Sequence, residues 1–326
     1  MSELRHKILA AVKNDLADIE TELRENLHPH SDLLARVAGH ILFSGGKRLR
    51  PLLAVLCARL CAYAGDYDKV FSTVFEYLHA ATLLHDDLVD DAEIRRGKPV
   101  AHSIWGPSVA VLAGDFLLAR SLSIASRTER PEIINVIAGI TESMSQGEIE
   151  QLARKGDILL SEAEYMEIIA CKTAVMIQGA CRSGAMLADA DPEAQAALAT
   201  YGLNLGTAFQ MIDDLLDYTS DTATLGKEIG TDLKEGKLTL PLIHALKTAE
   251  PEDRTRMEEI IRKEDFSLGE FETLKAMLTR YEGLSYTRET AVAHIRNAKE
   301  SLSMFGCSQT REILLNIADY ALERKV

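Results

Sequence analysis

Several residue types are scarce in this sequence, and each scarcity excludes a class of protein. Five cysteines, an odd number without a CxxC pair, argue against a disulfide framework and indicate reduced thiols in a cytoplasmic setting. Eight prolines and 20 glycines are too few for a loop-rich all-β chain. Lysine and arginine number 36 against 50 acidic residues, and the net charge of −14 argues against a nucleic-acid partner.

Uninterrupted apolar runs are also missing. The longest apolar stretch, residues 166–188, contains Glu167, Lys172 and Arg182, so it predicts a buried helix rather than a membrane span. The first 25 residues are charged and helix-patterned, which predicts neither a signal peptide nor stable membrane insertion. No segment alternates apolar and polar residues convincingly, so we expect helices without a substantial sheet.

The most informative stretch that is present is an acidic cluster, Leu83 to Asp91, at the end of a helix-patterned apolar run. On a helix, Asp86 and Asp90 lie one turn apart on the same face, and Asp87 lies about 100° round from Asp86. Carboxylates this close repel one another, and no Lys or Arg is interleaved among them. The cluster therefore predicts a bound cation.

The same DDxxD spacing returns at Asp213, Asp214 and Asp217, again after an apolar run with helical periodicity. A single cluster would be interpreted as a solvated acidic helix end. Two copies favour a shared site, and if they face one another, six carboxylates without cysteine or paired histidine select magnesium rather than zinc. Magnesium binds through a few carboxylates plus substrate phosphates, which predicts a phosphorylated small-molecule substrate.

Basic segments accompany the acids. Gly45 and Gly46 precede Lys47, Arg48 and Arg50, but the P-loop pattern fails because Arg48 stands where Ser or Thr is required. A diphosphate clamp fits this segment better than a nucleotide-binding loop. Two further basic segments follow the acidic clusters, at Arg95-Arg96-Gly97 and from Gly226-Lys227 to Lys237.

The two DDxxD motifs and these basic segments, in this order, resemble the trans-isoprenyl diphosphate synthases, or polyprenyl synthetases. The resemblance runs from about residue 40 to about residue 245. It implies an all-α, single-domain bundle over residues 1–326, with ten or more mostly antiparallel helices around a central cavity. It also implies a cytoplasmic homodimeric enzyme that uses three magnesium ions to condense isopentenyl diphosphate with an allylic diphosphate.

Residue roles are implied by the same resemblance. Metal ligation and catalysis go to the six aspartates of the two motifs, Asp86, Asp87, Asp90, Asp213, Asp214 and Asp217. The residues expected to bind isopentenyl diphosphate are Lys47, Arg50, His79 and Arg96. The allylic diphosphate goes to Arg95, Lys172, Thr173, Gln210, Lys227 and Lys237, of which Lys172, Thr173 and Gln210 are also expected to act in catalysis. Lys172 lies in an apolar run, so it needs an anionic partner.

Product length is expected to depend on Ala81 and Thr82, the fifth and fourth residues before Asp86. Short-chain members of the family often carry bulky residues there, so these small residues predict a long-chain, octaprenyl-like product of the kind used for quinone side chains. A farnesyl or geranylgeranyl diphosphate synthase is the alternative.

Three other classes of protein share parts of this pattern. A terpene cyclase typically has Ser or Thr at the position of Asp217 and Glu at that of Asp221, and this sequence differs at both. A non-catalytic helical metal-binding protein is suggested by Glu76 and His79, a single ExxH pair, although a di-iron bundle needs two. A regulatory subunit of a heteromeric synthase usually lacks one acidic motif, and both are intact here.

Overall fold

The structure is a computed structural model that describes residues 3–219, 230–263 and 265–323. Helices dominate the described residues, and the prediction of an all-α fold is confirmed. In chain order the elements are α1 (Glu3–Ala11), α2 (Lys13–Glu25), α3 (Asp32–Leu42), α4 (Leu49–Leu60), α5 (Asp68–Val89), β1 (Ile94–Arg95), β2 (Lys98–Pro99), α6 (Ala101–Trp105), α7 (Pro107–Ser126), α8 (Pro131–Ala153), α9 (Glu162–Ile169), a π-helical segment (Ala170–Ala174), α10 (Val175–Leu187), α11 (Pro192–Thr219), α12 (Thr231–Lys234), α13 (Leu240–Thr248), α14 (Pro251–Ile261), α15 (Leu268–Arg280), α16 (Gly283–Ser301) and α17 (Gln309–Leu322).

Local sequence signals explain where several helices begin. Ser31 accepts a hydrogen bond from the N–H of Leu34 and so caps α3. Ser161 with Glu164 and Ser267 with Glu270 form capping boxes at the starts of α9 and α15. The apolar stretch 166–188 is helical but is divided by the π-helical segment, which its hydrophobic pattern did not predict.

Within the described residues, the sheet consists of one antiparallel hairpin in which Ile94 pairs with Pro99 and Arg95 with Lys98. Its two-residue turn is Arg96-Gly97, and both have positive φ, 53° and 73°. Two-residue hairpin turns favour such angles, and glycine adopts them without strain. The prediction that no substantial sheet forms is therefore confirmed, and the basic turn is held in a defined conformation.

Two compact units can be distinguished by their internal contacts. Unit one consists of the described parts of Met1–Gly139, Met176–Ala199 and Met304–Leu314. Its centre is α5, which packs against α2, α4 and α7 and buries Phe71, Phe75 and Tyr77 among others. The first DDxxD motif ends this central helix.

Unit two consists of the described parts of Ile140–Val175, Thr200–Ser303 and Leu315–Val326. In it α13 packs on α16, and Gly283 permits the close approach because a Cβ at this position would collide with the backbone carbonyl of Pro241. Tyr201, Tyr218 and Phe271 are fully buried in this unit. The second DDxxD motif lies in the last two turns of α11.

Among the described residues, one helix, Pro107–Ser126, is long and apolar enough by length and composition to cross a membrane. Buried residues make up 39% of its most apolar window. A core or interface helix of a globular protein meets the same criteria, so this observation is weak evidence for a membrane span.

Candidate active site

The first aspartate cluster lies at the C-terminal end of α5. Asp86 and Asp87 occupy its last turn, and Asp90 follows it, with its N–H donated to the Asp86 carbonyl at 2.8 Å. Backbone carbonyls without intrahelical partners and the negative end of the helix dipole meet here. Three carboxylates add to that negative potential, so this end of α5 attracts cations.

One acid of this cluster already has a basic partner. Arg95 of β1 donates from Nε to Oδ1 of Asp87 at 2.6 Å, and Asp87 is only 2% exposed. The two residues are eight positions apart, so the sequence pattern, which showed no base among the acids, did not predict this ion pair. The assigned contact of Arg95 with a diphosphate stays a prediction.

The hairpin turn brings a second arginine to the glycine loop, which is the loop that contains Gly45 and Gly46. Arg96 donates from Nη1 to the backbone carbonyl of Gly45. A Cβ at Gly46 would lie 2.9 Å from Nη1 of Arg48, so the loop is packed closely against guanidinium groups. Two basic segments that are far apart in the sequence therefore share one location in unit one.

The pKa of His79 reflects its burial and the positive charge of the arginines at this location. Burial lowers its pKa well below the usual 6.5, and the positive charges of Arg50, Arg96, Arg95 and Arg48 lower it further. His79 is therefore neutral at pH 7 and can donate or accept a hydrogen bond. A group of arginines around a neutral imidazole is suited to bind an anion.

Arg48 has a role that the sequence did not reveal. Its side chain is 5% exposed and donates from Nε to Glu20 and from Nη1 to Glu76, both at 2.6 Å, and from Nη2 to the Leu42 carbonyl at 2.6 Å. Its φ of 48° lies in the left-handed region. Arg48 thus anchors the glycine loop to the interior while Lys47 is exposed. Glu76 of the ExxH pair is thus paired with Arg48.

The second aspartate cluster, in unit two, is part of a hydrogen-bonded chain. Thr173 donates to Oε1 of Gln210 at 2.9 Å, and Nε2 of Gln210 donates to Asp214 at 2.8 Å. Asp214 also accepts from the hydroxyl of Tyr165 at 2.6 Å. Three residues named from the sequence therefore contact one another in order. Tyr165 was not predicted, because it occupies an ordinary apolar position of its helix.

Burial dominates the electrostatics of this cluster. It raises the pKa of Asp214 to about 7, against the lowering effect of the Tyr165 and Gln210 hydrogen bonds, and Asp213 and Asp217 raise it further. The pKa of Asp232 is also raised well above its usual value, first by burial and then by Asp214 and Asp217. Asp232 lies in the segment from Gly226 to Lys237, but the sequence analysis gave it no role. Excess negative charge in this region favours a bound cation.

Asp217 is held by the backbone. Its Oδ1 accepts from the N–H of Thr231 at 3.2 Å, and its Oδ2 accepts from the N–H of Asp232 at 3.1 Å. These amides begin α12, so Asp217 satisfies donors at the start of that short helix. Asp213 is exposed on the same helix as Asp217. The three acids of this motif therefore have three different environments.

Lys172 lies in the π-helical segment and has the anionic partner that its apolar surroundings require. Its Nζ lies 2.6 Å from Oε2 of Glu148 and donates to Oε1 of Gln151 at 2.6 Å. Both partners belong to α8 and neither was predicted. Lys172 is thereby held in a defined position with its charge balanced.

A cavity of about 140 Å³ in unit two collects these groups. The residues predicted from the sequence that line it are Lys172, Thr173, Gln210, Asp214 and Lys237. Its other polar lining residues include Gln151, Arg154, Tyr165, Asp232 and Thr239. Two lysines and an arginine share this lining with two carboxylic acids, Asp214 and Asp232, which suits an anion bound together with a cation. Lys227 lies outside the described residues.

No group of three His, Cys, Asp or Glu side chains that could hold a metal ion by itself is found in the described parts of the chain. In both clusters one acid already has a partner, Arg95 for Asp87 and backbone amides for Asp217. The donor atoms available are carboxylate oxygens, which suit a hard ion that completes its coordination with water and phosphate oxygens.

Comparisons with known proteins agree on one family. The model of the family described as polyprenyl synthetase matches residues 31–278. The chain is 35% identical over 318 residues to the octaprenyl diphosphate synthase of Escherichia coli strain K12, covering 98% of each chain. It is 37% identical over 300 residues to the short chain isoprenyl diphosphate synthase of Methanothermobacter thermautotrophicus, covering 90% of this chain and 91% of that one.

A solved structure agrees with the sequence comparisons. The polyprenyl synthase of Caulobacter crescentus CB15, complexed with calcium and isoprenyl diphosphate, has a TM-score of 0.92 and 37% identity, with 98% of both chains covered. Relatives named for long products and relatives named for short products thus have similar sequence identity to this chain.

Proposed function

This chain belongs to the polyprenyl synthetase family and is a prenyl diphosphate synthase, and from that premise we propose that it extends an allylic diphosphate with isopentenyl diphosphate to a long-chain polyprenyl diphosphate. The observation that carries the proposal is the unit-two cavity, where Lys172, Thr173, Gln210, Asp214 and Lys237 meet. Charged groups taken out of water cost free energy, so an inert bundle has no reason to gather two lysines and two acids around one opening.

The allylic diphosphate is assigned to this cavity. Lys172 and Lys237 supply positive charge for its oxygens, and the Thr173 hydroxyl supplies a donor when it exchanges its hydrogen bond to Gln210 for one to a diphosphate oxygen. Arg154 adds a further positive charge to the lining. Arg95 and Lys227 keep the allylic role that the family resemblance implies. These groups stabilise the diphosphate as its bond to the allylic carbon breaks and the electron pair goes to oxygen.

Isopentenyl diphosphate is assigned to the basic location in unit one, with Lys47, Arg50, His79 and Arg96 as its contacts. The support is the joining of the Arg96 turn to the glycine loop and the neutral state of His79. The double bond of isopentenyl diphosphate attacks the allylic carbon, a carbon–carbon bond forms, and the proton that is lost goes to the released diphosphate. The reaction needs both aspartate clusters, so residues 1–326 act as one functional domain.

Magnesium is the ion that the donors suit, and three ions would be held by Asp86, Asp87, Asp90, Asp213, Asp214 and Asp217. When bound, it neutralises the departing diphosphate as a Lewis acid. The aspartates hold this charge in place, and the raised pKa of Asp214 means that ion binding has to displace a proton from that site near pH 7.

A long product is supported by Ala81, which is small and buried, and by the polar but small Thr82 one position later. We propose that the product supplies quinone side chains. A short or medium product is the second candidate, because the relative from Methanothermobacter thermautotrophicus is named for short chains.

We also propose a cytoplasmic homodimer. Leu112, at 65% exposed, and Leu122, at 36%, lie with Ala119 on the outer face of α7. A second copy that covers this face explains an apolar helix with little buried surface more simply than a membrane does.

The test is an elongation assay with isopentenyl diphosphate, an allylic primer and magnesium, followed by chromatography of the dephosphorylated products. We expect elongated product, and a loss of at least about 100-fold in Asp86→Asn and in Asp214→Asn. The matched control, Asp18→Asn on the exposed face of α2, should retain wild-type activity. Diphosphate release without elongation would favour cyclisation instead, and no turnover at all would contradict the proposal.

A further inference from the structure

The π-helical segment Ala170–Ala174 is the one place where the described helices adopt this geometry, and it contains Lys172 and Thr173. A π-helical turn is rare and occurs frequently at functional sites. Such a turn needs support from its surroundings, because an isolated chain would return to α-helix. The neighbouring helices of unit two supply that support.

The first support is Gly147 on α8. A Cβ at this position would lie 2.8 Å from Cβ of Cys171 and 2.9 Å from the backbone nitrogen of Lys172. Because a backbone nitrogen cannot rotate away, α8 and the π-helical segment would have to separate to admit a methyl group. Gly147 therefore sets the distance between these two elements.

The second support is Gly206 on α11. A Cβ there would lie 2.6 Å from Cα of Ala174 and 2.9 Å from its Cβ. The contact is again with the main chain of the π-helical segment. Two helices thus touch the main chain of this segment, each through a glycine.

Each glycine shares a helix with a polar residue that holds the segment. Gly147 directly precedes Glu148, and Gln151 lies one turn further along α8; both contact Nζ of Lys172 at 2.6 Å. Gly206 lies one turn before Gln210, which accepts from Thr173 at 2.9 Å. The close approach that the glycines permit is what brings these partners within hydrogen-bond distance.

We propose that Gly147 and Gly206 are positioning residues that fix Lys172 and Thr173 for the allylic diphosphate, an inference that rests on the proposed function of those two side chains. A methyl group at either glycine pushes a helix away from the π-helical segment. Lys172 or Thr173 then loses its partner and moves by a fraction of an ångström or more.

The kinetic test uses Gly147→Ala and Gly206→Ala in the full chain. We expect kcat/KM for the allylic substrate to fall up to about 100-fold, the order of loss caused by a 1 Å misplacement. The KM for isopentenyl diphosphate should stay within about twofold. The control is Gly269→Ala on α15, where the nearest atom to an added Cβ is Ser267 Oγ at 4.0 Å. The proposal would be overturned if the kinetic parameters for the allylic substrate and for isopentenyl diphosphate changed equally, or if neither changed.

Hydrogen exchange of the substrate-free protein tests the same proposal without activity. The peptide that covers residues 166–178 should exchange faster in both glycine variants than in the wild type. In Gly269→Ala its exchange rate should equal that of the wild type. If neither variant folds, hydrogen exchange of the wild type alone tests the proposal. Fast exchange at Lys172 and Thr173 would show that the π-helical segment is not supported by its neighbours. A wild type that shows protection but no elongation would refute the proposed function and leave the support of the segment intact.

Discussion

Arg48 carries the charge that ties the glycine loop of unit one to the protein interior. It contacts Glu20, Glu76 and a backbone carbonyl, and it is almost fully buried. A buried charge is tolerated only when it is paired, so removal of either partner leaves an uncompensated group. The exposed Lys47 next to it is thereby presented on a fixed backbone.

We expect Arg48→Met to lower the free energy of unfolding by about 3–5 kcal/mol, because Glu76 then stays buried without its partner. Chemical denaturation monitored by circular dichroism measures the change. Lys7→Met, which breaks the exposed Lys7–Glu312 pair, should leave the free energy of unfolding almost unchanged. Equal losses in the two variants would contradict the anchoring role.

His79 makes the stability of unit one depend on pH. Its pKa in the folded protein is lowered by burial and by the arginines near it, so the unfolded chain binds a proton below pH 6.5 that the folded protein does not. The stability contributed by the neutral ring is present above pH 6.5 and decreases as the pH falls through and below that value.

The corresponding variant is His79→Gln. Relative to this variant, the wild type should lose free energy of unfolding as the pH falls from about 7 to about 5, and the two curves should run parallel above about pH 7. Urea titrations at each pH give the difference. A wild type that instead gains free energy of unfolding relative to His79→Gln as the pH falls would show that His79 gains rather than loses a proton on folding.

At the scale of elements, α5 determines what the first aspartates can do. Its C-terminal end presents Asp86 and Asp87, its interior buries Ala81, and the hairpin after it returns Arg95 to Asp87. One helix therefore carries the cation-attracting end and the small residue that is expected to leave room for the product.

Ala81→Phe should shorten the product by one or more isoprene units, because a phenyl ring occupies space on the buried face of α5 just before the aspartates. Chromatography of the dephosphorylated products measures the length. Ala17→Phe, at an exposed position of α2, should leave product length unchanged. An unaltered distribution in Ala81→Phe would remove Ala81 from the chain-length assignment.

At the scale of the whole molecule, charge and exposed surface matter more than single contacts. The net charge of −14 repels anions in general, so two diphosphates can bind only where arginines and lysines reverse the potential locally. The outer face of α7 is the other feature of this scale, because Leu112, Ala119 and Leu122 are exposed there beside Asp115.

Leu112→Glu should shift the protein from dimer to monomer in sedimentation velocity experiments, since a carboxylate on this face opposes burial against a second copy. Leu268→Glu offers a control, because Leu268 is 74% exposed on α15 and away from this face in the sequence. A wild type that sediments as a monomer, or a Leu112→Glu protein that stays dimeric, would exclude α7 as the interface.

The sequence by itself determined the helical fold, the family and five of the residues that line the unit-two cavity. Helical periodicity and repeated DDxxD spacing are local properties, and a charged side chain in an apolar run indicates that it needs a partner. Lys172 and Asp214 are therefore predictable from the order of residues along the chain, whereas the roles of Thr173 and Gln210 came from the resemblance to the polyprenyl synthetases.

Only the tertiary structure decided the roles of Arg48, Tyr165, Asp232, Glu148 and the two glycines that contact the π-helical segment. Their partners lie on other helices, at sequence separations that no local pattern encodes. Burial converts a basic loop residue into an anchor, and the packing of α8 and α11 through glycine gives a lysine and a threonine fixed positions. These outcomes depend on distances between helices, and a linear spacing does not contain them.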